Sequence, residues 1–213
     1  MESQVANQSD QSQQRQLNIE DQPATRPKPT EQKVHDKKTK LMKYIEKLSE
    51  ESRFTEAYLW KWHESFHKSC PNGKASLGQF KMFYKTYYAN RDAGEFAGHV
   101  FRTIKKKDPN YVEFGELVKA GDVIIKGDKE EKLRWIFSMY DMDDDSLVKR
   151  VEMFDVHLSA YNMVLGRDKN ANPSHHVDYI FRNVDKNLDG KLTFEEFQEG
   201  TSKSKAVERM LAM

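Results

Sequence analysis

Residues 185–196 read DKNLDGKLTFEE, with carboxylate or amide side chains at alternate positions, a glycine, and a closing glutamate. Such a run is built to hold a hard divalent cation. Calcium takes six to eight oxygens, and a twelve-residue loop delivers them from positions 1, 3, 5, 7, 9 and 12. Here those are Asp185, Asn187, Asp189, the Lys191 carbonyl, Thr193 through a water, and Glu196. Gly190 at position 6 permits the left-handed backbone of the sharp turn, and Leu192 at position 8 suits a short pairing strand. The D-x-[DN]-x-[DN]-G-x5-E signature is complete, so a Ca2+ site is expected.

The outline recurs upstream with fewer ligands. Residues 141–152, DMDDDSLVKRVE, keep Asp141, Asp143, Asp145, the Leu147 carbonyl and Glu152. Ser146 replaces the glycine, which places a side chain in left-handed space at about 1–2 kcal/mol. Lys149 at position 9 can neither ligate nor readily orient a water. This loop is expected to bind Ca2+ more weakly than the fourth. Residues 105–116, KKKDPNYVEFGE, put Lys105, Lys107 and Pro109 where carboxylates are needed, and the first loop, around KSCPNGKASLGQF, carries Cys70 and Pro71 there. Both should be empty of metal.

Four loops need helices to frame them. Apolar residues fall at helical spacing in Leu59/Trp62/Phe66, Phe80/Phe83/Tyr84/Tyr87, Phe96/Val100/Phe101/Ile104, Leu133/Ile136/Phe137/Tyr140 and Val177/Ile180/Phe181/Val184. Phe101, Phe137 and Phe181 stand four residues before their loops. Ile104, Tyr140 and Val184 stand directly before them, and Leu117, Met153 and Phe197 directly after. One such unit cannot bury its apolar face alone, so units pair. The expected fold is all-α: four EF-hand units in two lobes, at 41–125 and 126–213, with short β pairings between loops, Val148 beside Leu192. Residues 1–40 are polar and aperiodic and read as a disordered, solvated tail; a targeting or membrane-surface role for Lys33, Lys37, Lys38 and Lys40 is the lesser alternative, since each such base adds only ~1 kcal/mol.

Composition narrows the function. The tail holds seven Lys/Arg and six Asp/Glu of the chain's 35 and 34, leaving 28 of each in the remainder. That balance points to few metal sites and gives no footprint of nucleic-acid binding. Cys70 is the single cysteine, which excludes an internal disulfide and fits a reducing, cytoplasmic setting. No apolar run reaches the ~20 residues of a membrane span. The start, MESQVANQSD, carries neither a signal-peptide core nor a glycine after the initiator for a lipid anchor. No phosphate loop or nucleophile elbow supports an enzyme. His63, His67 and Cys70 have a zinc-like spacing, but Trp62 and Phe66 define the buried stripe of their helix, and a fourth ligand is wanting.

CPNG (70–73), KLRWIF (132–137), DKNLDGKLTFEEFQEG (185–200) and FTEAYLWKW (54–62) together resemble the neuronal calcium sensors, a family that includes recoverin, guanylate cyclase-activating and potassium-channel-interacting proteins. The resemblance covers about Phe54 to Val207. It implies a calcium-modulated regulator that holds an amphipathic helix of a membrane-associated target, such as a channel, cyclase or receptor, in an N-terminal aromatic groove. The matching positions are Trp62, Phe66, Phe80, Phe83, Tyr84, Tyr87, Phe101 and Trp135. The alternative is a constitutive interaction module or channel auxiliary subunit with one structural Ca2+.

Overall fold

In a computed structural model the structure describes residues 29–87, 93–105, 108–165 and 173–203. The chain divides into two compact units, Met1–Lys43 and Tyr44–Met213. Helix α1 (Pro29–Glu50) begins well before Leu41, which corrects the reading of 29–40 as disordered tail. Composition misled because α1 is polar on most faces until Leu41; Lys33, Lys37, Lys38 and Lys40 are exposed. Beyond it Ile45 and Leu48 are buried.

Helix α2 (Glu56–Ser69) starts where Thr55 caps it, the Oγ accepting the Tyr58 N–H. It is joined through β1 (Lys74–Ser76) to α3 (Leu77–Tyr87). The second unit is α4 (Gly94–Ile104), β2 (Tyr111–Glu113) and α5 (Phe114–Gly121). A single π turn, Asp122–Lys126, leads to the third unit. There Asp128 and Glu131 form a reciprocal capping box at the start of α6 (Lys129–Tyr140). β3 (Val148–Lys149) and α7 (Arg150–Leu165) complete the third unit; α8 (Ser174–Val184), β4 (Lys191–Leu192) and α9 (Phe194–Lys203) form the fourth.

The loops pair as the periodicity requires. β1 and β2 are antiparallel with Ala75 opposite Val112, and β3 and β4 are antiparallel with Val148 opposite Leu192. All four of these residues are fully buried. One apolar core runs across both pairs, from Phe80, Val100, Phe101 and Val112 to Phe137, Met153, Phe181 and Phe197. Among the described residues, no helix is long and apolar enough to cross a membrane.

Candidate metal centres and the apolar cavity

Each loop is tied by the same bond. The side chain at position 12 accepts the backbone N–H of position 9: Gln79 from Ser76 at 3.0 Å, Glu116 from Glu113 at 2.9 Å, Glu152 from Lys149 at 2.8 Å and Glu196 from Thr193 at 3.0 Å. This fixes the first loop, whose register the sequence left loose, as residues 68–79, with Gly73 (φ 75°) at position 6. Gln79 at position 12 was legible by counting on from that glycine. In the third and fourth loops positions 4 and 6 are both left-handed: Asp144 (φ 58°) and Ser146 (φ 66°), Leu188 (φ 58°) and Gly190 (φ 79°). The serine takes the conformation expected of it.

In the fourth loop Asp185 follows α8 and Glu196 lies in the first turn of α9, so the two residues link the loop to both helices. Asp185 Oδ2 accepts the Gly190 N–H at 3.0 Å, whereas its Oδ1 is buried and receives no hydrogen bond. Glu196 Oε1 accepts the Lys186 N–H at 3.2 Å, while Oε2 takes the Thr193 N–H and its hydroxyl. Burial alone would raise the Glu196 pKa, but these bonds and one from the Asn187 N–H outweigh it and hold the carboxyl below the usual range. The Asn187 amide donates to Asp189 Oδ2 at 2.9 Å. The Lys186 ammonium turns away to Glu199.

These donors fit Ca2+. They are hard oxygens, and leaving the buried Asp185 Oδ1 without a partner costs on the order of 1–3 kcal/mol, which a bound cation would offset.

The third loop differs in one respect. Asp141, Asp143 and Asp145 bring their carboxylates together, the only such trio of potential ligands among the described residues. Asp141 accepts the N–H groups of Asp145 and Ser146 at 3.1 and 3.0 Å, and burial, partly offset by these bonds, raises its pKa. Glu152 bridges the N–H groups of Met142 and Lys149. The Lys149 ammonium lies 2.6 Å from Asp143 and 2.7 Å from Asp145. Sequence reading gave it no partner; a position-9 side chain is the right length to reach positions 3 and 5. Nearby, Arg102 of α4 donates to the carbonyls of Asp141 and Met139 at 2.9 and 2.6 Å.

In the second loop Lys105 donates to the Pro109 carbonyl at 3.2 Å, and Lys107 falls outside the described residues. Cys70 is buried and free. His63 and His67 stack on one another, and His63 packs edge-on against Phe114. No zinc constellation forms among the described residues.

The aromatic positions separate. Phe66, Phe80 and Phe101 are buried, a correction to their place in an open groove: Phe66 packs on Phe114 at 5.6 Å and Phe80 on Phe101 at 5.5 Å. Trp62, Phe83, Tyr84 and Trp135 are half-buried, and the Tyr87 side chain lies outside the described residues. A cavity of about 730 Å³ is lined by Trp135 together with Tyr44, Leu48, Ile104 and Val123, and by the charged groups of Glu116, Lys119 and Arg134. Sequence reading missed Tyr44 and Leu48, whose helix it placed at the edge of a tail.

An EF-hand domain pair matches residues 130–202. The chain is 35% identical over 176 residues to guanylyl cyclase-activating protein 2 of Lithobates pipiens, covering 78% of this chain and 89% of that protein. It is 36% identical over 174 residues to neuronal calcium sensor 1 of Aplysia californica (79% and 91%). To human recoverin it is 31% identical over 174 residues (78% and 86%). Paired helix–loop–helix units, an oxygen-lined loop that fits Ca2+ and relatives aligned over most of their length agree: the chain belongs to the neuronal calcium sensor family, calcium-binding regulators rather than enzymes.

Proposed function

We propose that the chain is a calcium-responsive regulator that takes a helical segment of a target protein into an apolar groove, acting in the cytoplasm and reaching membranes through that target. Asp185, Asn187, Asp189, the Lys191 carbonyl and Glu196 hold the principal ion; Asp141, Asp143, Asp145, the Leu147 carbonyl and Glu152 form a second, weaker set. When bound, Ca2+ supplies two positive charges and a demand for six to eight oxygens. Glu196 lies in the first turn of α9 and Asp185 caps the end of α8, so any movement of Glu196 across the loop changes the angle between those helices.

The observation that carries the reading is the Asp185 Oδ1, buried and without a hydrogen bond at the first ligand position of a complete calcium-loop sequence. For the target, support comes from the cavity beside Trp135, whose volume and apolar lining suit side chains from one face of a helix. One relative's name has it activating a guanylyl cyclase; a cyclase, channel or receptor segment is the corresponding partner class here.

Calorimetric titration of the wild type and Glu196→Gln tests the metal centre. The wild type should take up Ca2+ with a Kd of ~10⁻⁷–10⁻⁵ M, and the variant should lose this binding. Unchanged heat and stoichiometry in the variant would end the proposal. An amphipathic model peptide titrated in calcium and in chelator then separates a sensor from a constitutive module. The constitutive alternative draws its support from the lysine lodged in the third loop, and equal affinity in both conditions would favour it.

A further inference from the structure

Positions 3 and 5 of the third and fourth loops receive different donors. In the fourth, the Asn187 amide donates to Asp189; rotated by half a turn, that amide presents an oxygen instead. In the third, the Lys149 ammonium bridges Asp143 and Asp145. An ammonium has three donors and no lone pair in any rotamer, so it can leave the loop but never join a ligand set. It is itself a cation placed between the carboxylates a metal would use. Its side chain is 29% exposed, shielded more than either partner.

The sheet register adds to this. Lys149 lies directly opposite Lys191, and like charges facing across a strand pair repel. Held on Asp143 and Asp145, the ammonium has two carboxylates to set against that like charge. Arg102 brings a second positive charge to the Asp141 carbonyl. The second loop has gone further along the same route, with Lys105 bonded across it to Pro109.

We propose that the Lys149 ammonium is the resident cation of the third loop, and that Ca2+ occupies this loop only by displacing it, so that this one side chain sets the third site below the fourth. The inference rests on the fourth loop being the principal site and concerns which loops fill.

The test is Lys149→Thr, which installs the residue type that Thr193 provides in the fourth loop. It is made in the full chain, alone and with Glu196→Gln, and Ca2+ is counted by native mass spectrometry and titrated by calorimetry. Losing two charge-assisted hydrogen bonds to a competitor should tighten third-loop binding roughly tenfold to a hundredfold. With Glu196→Gln, the chain retaining Lys149 should take up little Ca2+ at micromolar concentration and the Lys149→Thr chain one ion. Lys149→Arg, which keeps a cation, should stay weak. Third-loop affinity within twofold in the lysine and threonine chains overturns the proposal. Failure of the fourth-loop assignment has a separate signature, a Glu196→Gln change without effect in either background. Should Lys149→Thr fail to give a native circular dichroism spectrum, Lys149→Gln makes the same comparison.

Discussion

Ser146 holds φ 66° where its counterpart Gly190 holds φ 79°. A side chain in that region strains against its own carbonyl by about 1–2 kcal/mol, while glycine loses about 0.5–1 kcal/mol more entropy on folding. Ser146→Gly should therefore stabilise the chain by roughly 0.5–1 kcal/mol, read as a higher denaturant midpoint with unchanged slope. Gly190→Ala should do the reverse by a similar amount. An added Cβ there meets no atom within 4 Å, so the loss comes from backbone conformation alone. Equal midpoints for both variants would show that positions 146 and 190 relax out of left-handed space. These two positions were open to sequence reading because a glycine and its replacement at one loop position have a definite backbone meaning. The ion pair of Lys149 was not, since no spacing rule says where a long flexible side chain will settle.

At the scale of helices, close approach depends on small residues. A Cβ on Gly200 would lie 2.3 Å from Val184 Cγ2, so α9 meets α8 where only hydrogen fits. Gly200→Ala should destabilise the chain by about 1–3 kcal/mol, and Val184→Ala in the same chain should recover part of it; thermal unfolding of the two single variants and the double variant measures the coupling. Gly121 plays the same part for Trp62, whose ring would lie 2.7 Å from an added Cβ. The helices flanking each loop were visible in the 3.6-residue period of Phe137, Tyr140, Phe181 and Val184, all of them buried. The period fails for α1. Its first turns carry mostly Lys, Thr, Glu and Asp; the apolar signal begins at Leu41, where the sequence places the helix start, and burial only at Ile45 and Leu48. The groove was over-read for a related reason. Helical spacing says that Phe66, Phe80 and Phe101 share a face with their neighbours, but not whether that face meets solvent or another helix.

Across the whole chain, stability should depend on pH through histidine. Burial lowers the pKa of His63, helped by neighbouring His67; burial and then Arg102 lower that of His99 against the opposing pull of Asp155 and Glu95. Both fold as bases weaker than their ordinary value of 6.5. Between the folded and unfolded pKa the unfolded chain binds more protons, so stability is complete above that ordinary value and falls as pH drops below it. The melting temperature should hold from pH 7.5 to about pH 6.5 and decline below it, less steeply in a chain carrying His63→Gln and His99→Gln; parallel curves would remove these histidines as the cause. The Arg53 guanidinium bonds both Asp122, the first residue of the π turn, and Glu131, in the first turn of α6. Beneath these surface links one apolar body spans α3 and the second, third and fourth units: Phe80 and Val100 belong to it together with Phe181 and Phe197. Because that body is held in common, neither half of the chain owns a complete inside. A graft that replaced one half with its counterpart from another protein would have to carry matching shapes across the seam between the Phe80 side and the Phe197 side of that body.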